Sequence, residues 1–311
     1  VKERFPQRLP CRIVDLLTDQ VISKHFVKQA RPVNAVPTPL PKWNSLCGDQ
    51  GGKFGLAKGW HITLGANTGA GKTLMGINMA STAIRHGISV GYINLEMSIE
   101  QMSSRLYSTL TTTPIREIEP GKDFRPDTEI AIRERVSEIV LECDGEVRFL
   151  TNDAAIHDID AITGLMAYMK GMHGIEFFVV DYIQRVRTKY EDMLKQVTDV
   201  SLKVSDFAKE MNVTTVALSQ FNRETSKTYK DKPRSQGLMG GSPLENDSDQ
   251  VVLLDHSRHR AYVDVDAGDH PKPYADTYLL VDKNRHGGQA QIPILWDYTT
   301  LRVYERQEET E

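Results

Sequence analysis

The run ANTGAGKT, Ala66 to Thr73, brings together a glycine-bearing turn, a lysine and a hydroxyl, which is what a bound triphosphate needs. Backbone N–H groups can close on phosphate oxygens where no Cβ intervenes, and the start of a following helix adds the positive end of its dipole. Ala66, Asn67, Thr68, Gly69, Ala70 and Gly71 form the expected cradle for ATP. Lys72 is expected to reach the β- and γ-phosphates, and the Thr73 hydroxyl to ligate Mg²⁺. The usual GxxxxGK[ST] pattern begins with glycine, and Ala66 occupies that place. A GKT tripeptide alone says little. Its position after HITLGA, which reads as a strand, and before a helical pattern makes it specific.

Such a site calls for carboxylates at the ends of other strands. EFFVVD ends at Asp181, expected to hold Mg²⁺ through water; the alternative is a carboxylate capping the next turn. Tyr182 follows instead of a glutamate, so the base must come from elsewhere. ISVGYINLE ends at Glu96, 24 residues after Lys72 (96 − 72). Parallel neighbouring strands present their carboxyl ends on one edge of a sheet, where ligands of open α/β folds sit. Glu96 is therefore the candidate catalytic base. Its competing role is an acid near the start of a helix beginning about Ser98. VTTVALSQ ends at Gln220, a neutral amide suited to sensing a γ-phosphate and its loss.

Two basic clusters follow these strand ends: Arg185, Arg187 and Lys189, then Arg223, Lys227, Lys230, Lys232 and Arg234. Either alone reads as a solvated face. Both beside a nucleotide sensor point to a grip on a nucleic-acid backbone that responds to ATP state. Asp255, His256 and His259 lie close together, with His270 and His286 further on, but no spacing specifies a metal, and the histidines read as surface residues.

The strands that must carry these residues are 61–66, 88–96, 146–151, 176–181, 213–220 and 250–255, with a C-terminal hairpin from 276–284 and 291–297. Helical patterns occupy 72–86, ending at Gly87, and 192–211, with Val197, Val200, Val204 and Phe207 on one stripe. Continuous apolar strands joined by helices predict an α/β fold: a mainly parallel twisted sheet covered on both faces. Residues 1–41 read as an arm, with Ile13, Val14, Leu17, Val21, Ile22 and Phe26 at helical spacing and then the proline-rich RPVNAVPTPLP. That helix either docks on a neighbouring subunit or folds back on its own domain. Residues 42–306 form the ATPase unit and 307–311 an acidic tail.

With 40% hydrophobic and 26% charged residues in 311, the chain can bury a sizeable core. No apolar run approaches the roughly 18 residues of a membrane span. The N-terminal VKERFPQRLP leads into no signal-like block, and three widely spaced cysteines argue against a disulfide framework, so a cytoplasmic setting is expected. A net charge of −4 argues against a broad basic face while leaving room for a narrow basic channel.

ANTGAGKT, YINLEMS (92–98), FFVVDYIQ (177–184), VALSQFNRE (216–224), LENDSDQVVLL (244–254) and VDKNRHG (281–287) occur in that order, and together they resemble the RecA-like motor domain of DnaB-type replicative helicases. The resemblance covers about Trp43 to Tyr304. It implies a RecA-like P-loop NTPase fold and a homo-hexameric ring that hydrolyses ATP between subunits and moves on single-stranded DNA. It also implies a bacterial, phage or organellar replication setting, and the acidic balance of the chain makes a helicase loader or replication protein an expected partner for engaging DNA. Carried onto this sequence, Glu96 activates water, Gln220 is the sensor, and Lys283 and Arg285 reach into the adjacent subunit's site, Arg285 as the arginine finger. The family usually carries a separate N-terminal domain that meets primase, where this chain has only the arm. Where the family reads something like RESG this chain has MGGS, so backbone amides at Gly240 and Gly241 are left to meet DNA phosphates. A RecA-like ATPase that binds DNA without unwinding it, as a recombination mediator or filament former, is the competing function. Lys283 and Arg285 favour the helicase.

Overall fold

A computed structural model describes residues 13–15, 35–48, 54–119, 126–143, 147–150, 156–221, 235–255 and 274–306. The strands in chain order are β1 (Ile13–Asp15), β2 (Ala35–Val36), β3 (Leu56–Ala57), β4 (His61–Ala66), β5 (Val90–Asn94), β6 (Val147–Leu150), β7 (Phe177–Asp181), β8 (Thr214–Gln220), β9 (Gln250–Asp255), β10 (Tyr274–Asn284), β11 (Ala290–Asp297) and β12 (Arg302–Glu305). The helices are α1 (Pro41–Leu46), α2 (Lys72–Arg85), α3 (Ile99–Thr111), α4 (Ile115–Ile118), α5 (Pro126–Cys143), α6 (Ile159–His173), α7 (Met193–Met211) and α8 (Gly241–Asp247).

Ten strands make one sheet in the order β1-β6-β5-β7-β8-β4-β9-β10-β11-β12, and β2 pairs with β3. The run from β6 to β9 is parallel. Side-chain alternation along β7 shows why the fold needs helices on both sides. Phe177 and Val179 enter one core with Met75, Ile77 and Met79 of α2. Phe178 and Val180 enter the other, with Ile162 and Leu165 of α6 and Val197, Val200 and Val204 of α7. A strand apolar on both faces is stable only when each face is covered, so the predicted architecture holds.

Three features depart from the sequence reading. Ile13–Asp15, placed in a helix by their spacing, form an antiparallel edge strand on β6, with Ile13 opposite Leu150. The two β-branched residues favour an extended backbone once a partner strand is present; the rest of the expected helix lies outside the described residues. Ala35–Leu40, expected as tether, packs on the core instead. Ala35 and Val36 pair with Ala57 and Leu56. Leu40 and Trp43 are fully buried, and the Trp43 indole donates to Gln250 Oε1 at 2.9 Å. Pro41 at the first turn of α1 has the fixed φ that a helix start accepts. Finally, the C-terminal hairpin gains a third strand, β12, antiparallel to β11.

Register decides what meets at each edge. Ala66 of β4 lies opposite Gln220 of β8, and Asn94 of β5 opposite Asp181 of β7. The carboxyl ends of four strands thus align beside the P-loop. β10 runs the other way: Tyr278 pairs with Asp255, and Asn284 with Gln250. Its end therefore projects from the far edge of the sheet.

Candidate nucleotide site

The P-loop owes its shape to two glycines with positive φ, Gly69 at 78° and Gly71 at 85°. Gly71 is the residue preceding α2, and no side chain caps that helix. Its first N–H groups are thereby left for an anion. A Cβ on Gly71 would also stand 3.3 Å from the Trp296 ring, which closes the floor beneath the turn. Ala66 in place of glycine costs nothing, because it is the last residue of β4 with ordinary strand backbone.

Lys72 is nearly buried. Its Nζ lies 3.9 Å from Glu96 Oε2 and 4.5 Å from the centre of the Tyr182 ring. Glu96 is held in place by Asn94, whose Oδ1 accepts from the Glu96 and Met97 amides at 3.2 and 3.0 Å. Asn94 Nδ2 donates to the Met97 carbonyl at 2.5 Å. The helix-start role that competed for Glu96 is filled by Ser98 and Gln101, which form a reciprocal capping box on α3. Glu96, partly exposed, is left facing Lys72.

Asp181 is fully buried. The Tyr92 hydroxyl donates to its Oδ2 at 3.1 Å, while Oδ1 has no hydrogen-bond partner among the described residues. Burial pushes its pKa up to about 6, against the opposing pull of the Thr73 hydroxyl and the Lys72 charge. An orphaned buried carboxylate oxygen beside a hydroxyl is a costly arrangement that a divalent cation or its bound water would relieve, so these residues fit Mg²⁺. The sign of the pKa shift makes a prediction. A carboxyl raised above its unfolded value destabilises the folded state wherever it is ionised, so the cost is full above about pH 6 and fades below it. Without nucleotide or metal, Asp181→Asn should melt at a higher temperature than wild type at about pH 8, with the gap narrowing as pH falls through about 6. Thermal melts across pH check this; a variant that melts lower than wild type in the alkaline range contradicts it.

The Gln220 carbonyl accepts from Met239 N, and its amide N–H faces Gln184 Oε1 at 3.4 Å. Gln184 in turn donates to Ser219 Oγ at 2.8 Å. Arg185, Arg187 and Lys189 are exposed on the loop after β7. Arg185 Nε donates to the Tyr182 hydroxyl at 3.3 Å, so one aromatic side chain touches both Lys72 and the basic loop. Arg223, Lys227, Lys230, Lys232 and Arg234 lie outside the described residues. The two glycine amides expected to meet DNA are not both open: Gly240 is buried against Val197, and the Gly241 N–H donates to the Leu238 carbonyl at 2.8 Å. The turn uses its own amides to start α8.

Lys283 and Arg285 stand apart from all of this, at the end of β10 on the far edge. Along β4 alone, the four steps from Ile62 to Ala66 separate the edges by roughly 13 Å. Lys283 Nζ donates to the Glu245 carbonyl, and burial and neighbouring Arg285 lower its pKa. Both residues lie at the sheet edge opposite this chain's P-loop. Asn94, Tyr92, Tyr182 and Trp296 were missed from sequence. Only Asn94 left a local signal, an Asx-turn residue ending a strand.

A parallel sheet that gathers a P-loop lysine, a facing glutamate, a buried aspartate and an amide on one edge defines a RecA-like P-loop ATPase core. Residues 52–305 match the DnaB-like helicase C terminal domain family, and the chain belongs to that family. It is 26% identical over 283 residues to the replicative DNA helicase DnaB of Rickettsia conorii, a match that covers 82% of this chain and 53% of the relative. The chain thus spans about half to two thirds of the length of the curated relatives it matches. Among solved structures, a DnaB-like replicative helicase described with its interactions with primase superposes with a TM-score of 0.71 at 18% identity, covering 89% of this chain and 64% of that one. A second solved structure, of an isolated ATPase domain, gives 0.69 at 19% identity, covering 88% and 92%.

Proposed function

We propose that residues 42–306 are the motor of an ATP-driven replicative DNA helicase. It works as a homo-hexameric ring on single-stranded DNA and hydrolyses ATP where subunits meet. The observation that carries this is the split of the catalytic set between two edges: Lys72, Thr73, Glu96 and Asp181 on one, Lys283 and Arg285 on the other. A site so divided is completed by a neighbouring copy.

In this reading the α2 N-terminus and Lys72 bind the phosphates, and Glu96 takes the proton of the attacking water. Thr73 and Asp181 would hold Mg²⁺, which when bound would neutralise charge on the phosphate oxygens. Arg285 of one subunit supplies positive charge to the next subunit's transferring phosphoryl group. Gln220 senses the γ-phosphate, and the loop bearing Arg185, Arg187 and Lys189 grips the DNA backbone, with Arg223, Lys227, Lys230, Lys232 and Arg234 as its second half. Tyr182 gives that loop direct contact with Lys72. In the arm, β1 and β2 pack on their own domain, and a loader or replication protein brings the ring to DNA.

Steady-state ATP hydrolysis, measured with and without single-stranded DNA across protein concentrations and with Lys72→Ala as blank, tests this. Stimulation by DNA, and specific activity that rises with protein concentration, are expected. Activity indifferent to both would overturn the ring motor. Stimulation without strand separation on a forked duplex would favour the DNA-binding ATPase that does not unwind.

A further inference from the structure

The loop that carries Arg285 is fixed on several sides for a hairpin tip. Asn284 Nδ2 donates to the carbonyls of Leu46 and Gly288 at 3.0 and 3.1 Å, while its Oδ1 accepts from the His286 amide at 3.1 Å. Gly287 packs so closely that any side chain there would collide with the Leu46 carbonyl. The His286 ring stacks on Trp60, with centroids 4.1 Å apart and planes 10° from parallel. Behind the tip sits Asp249, a nearly buried carboxylate. Its Oδ2 accepts from the His61 amide at 2.9 Å, tying it to the start of β4. Its Oδ1 lies 3.5 Å from both Arg285 Nη1 and His286 Nε2. The Arg285 amide donates to the Asp249 carbonyl at 2.9 Å, and Arg285 Nη2 donates to the Asn246 carbonyl.

A guanidinium has five N–H donors. These contacts engage two of them, leaving three for a phosphate, and the side chain remains partly exposed. We propose that Asp249 is a positioning residue that aims Arg285 at the adjacent subunit's nucleotide. This rests on the reading of Arg285 as the arginine finger. A flexible arginine on a hairpin tip samples many rotamers, and each one off target misses the transition state. A carboxylate fixed to the sheet at the other end limits that search. Because the contact lies on the finger's own subunit, it operates before and after the neighbour binds nucleotide.

Asp249→Asn is the sharpest probe. The amide oxygen can still accept from the His61 amide, while the NH₂ group replaces the oxygen facing Arg285. We expect kcat for DNA-stimulated ATP hydrolysis to fall about tenfold, with KM for ATP and ring assembly by sedimentation unchanged. Asp249→Glu, which keeps the charge but displaces it by one methylene, should lose turnover in the same way and stands in if Asp249→Asn does not fold. The decisive step is a double-mutant cycle with Arg285→Ala, read by single-turnover hydrolysis of radiolabelled ATP. If Asp249 works only through the finger, Asp249→Asn should cost nothing further on the Arg285→Ala background. Wild-type turnover in Asp249→Asn, or losses that multiply, would overturn the positioning role. Full turnover in Arg285→Ala alone would instead fell the finger reading itself.

Discussion

Arg285→Ala is expected to lower ATP turnover by about 10³-fold or more while nucleotide affinity stays near wild type. The expectation comes from placement. Arg285 follows β10 at the edge of the sheet remote from Lys72, so its loss leaves the phosphate cradle of its own subunit untouched. Under the proposed function, what would disappear is a positive charge delivered to the neighbouring site as the γ-phosphoryl group departs, an interaction that would strengthen only in the transition state. Such a loss appears in kcat and not in binding. Fluorescent-nucleotide binding together with steady-state turnover separates the two. Mixed assemblies add a further reading, since wild-type subunits next to Arg285→Ala subunits should lose activity at the shared interface. Weakened nucleotide binding, or a monomeric variant with full activity, would contradict hydrolysis between subunits.

Much of this could be read from the chain because the decisive features are local. ANTGAGKT is contiguous, and its neighbours announce a strand before and a helix after. FFVV, up to the terminal Asp181, reads as apolar throughout because both faces of β7 are covered. Even the meeting of Gln220 with the P-loop was implied, since parallel strands share a carboxyl edge; the structure adds that its register partner is Ala66. What escaped was set by distance along the chain. Trp296 reaches Gly71 from 225 residues away (296 − 71), and nothing in either segment marks the other. Tyr182 looked only like the absence of a glutamate, yet it lies against Lys72 and takes a hydrogen bond from Arg185. Ile13–Asp15 illustrates the opposite failure. Spacing alone favoured a helix, but pairing with β6 satisfies the backbone of an edge strand and overrides it. From sequence alone the glycines in MGGS suggest open amides, whereas the close approach of α7 to Gly240 explains why glycine stands there.

Glu96→Gln should trap the protein with ATP bound, lowering hydrolysis by about 10²- to 10⁴-fold, the range for loss of a general base. The substitution is nearly isosteric. Asn94 grips the backbone of Glu96 rather than its side chain, so the turn should survive. The capping box of Ser98 and Gln101 on α3 is likewise untouched. The carboxylate now faces Lys72 at 3.9 Å and competes with phosphate for its charge. Removing that competitor should leave ATP affinity unchanged or tighter, the opposite of the weakening expected for Lys72→Ala. With Arg185, Arg187 and Lys189 unaltered, DNA binding should persist in the ATP state and become long-lived, because the hydrolysis that would release it is gone. Single-turnover hydrolysis and DNA dissociation measured on the same preparation give the two numbers. A turnover within a few-fold of wild type would return Glu96 to the role of a charge near a helix start and require another base for water. Slow hydrolysis with rapid DNA release would instead uncouple the nucleotide edge from the basic loop and remove Tyr182 as their link.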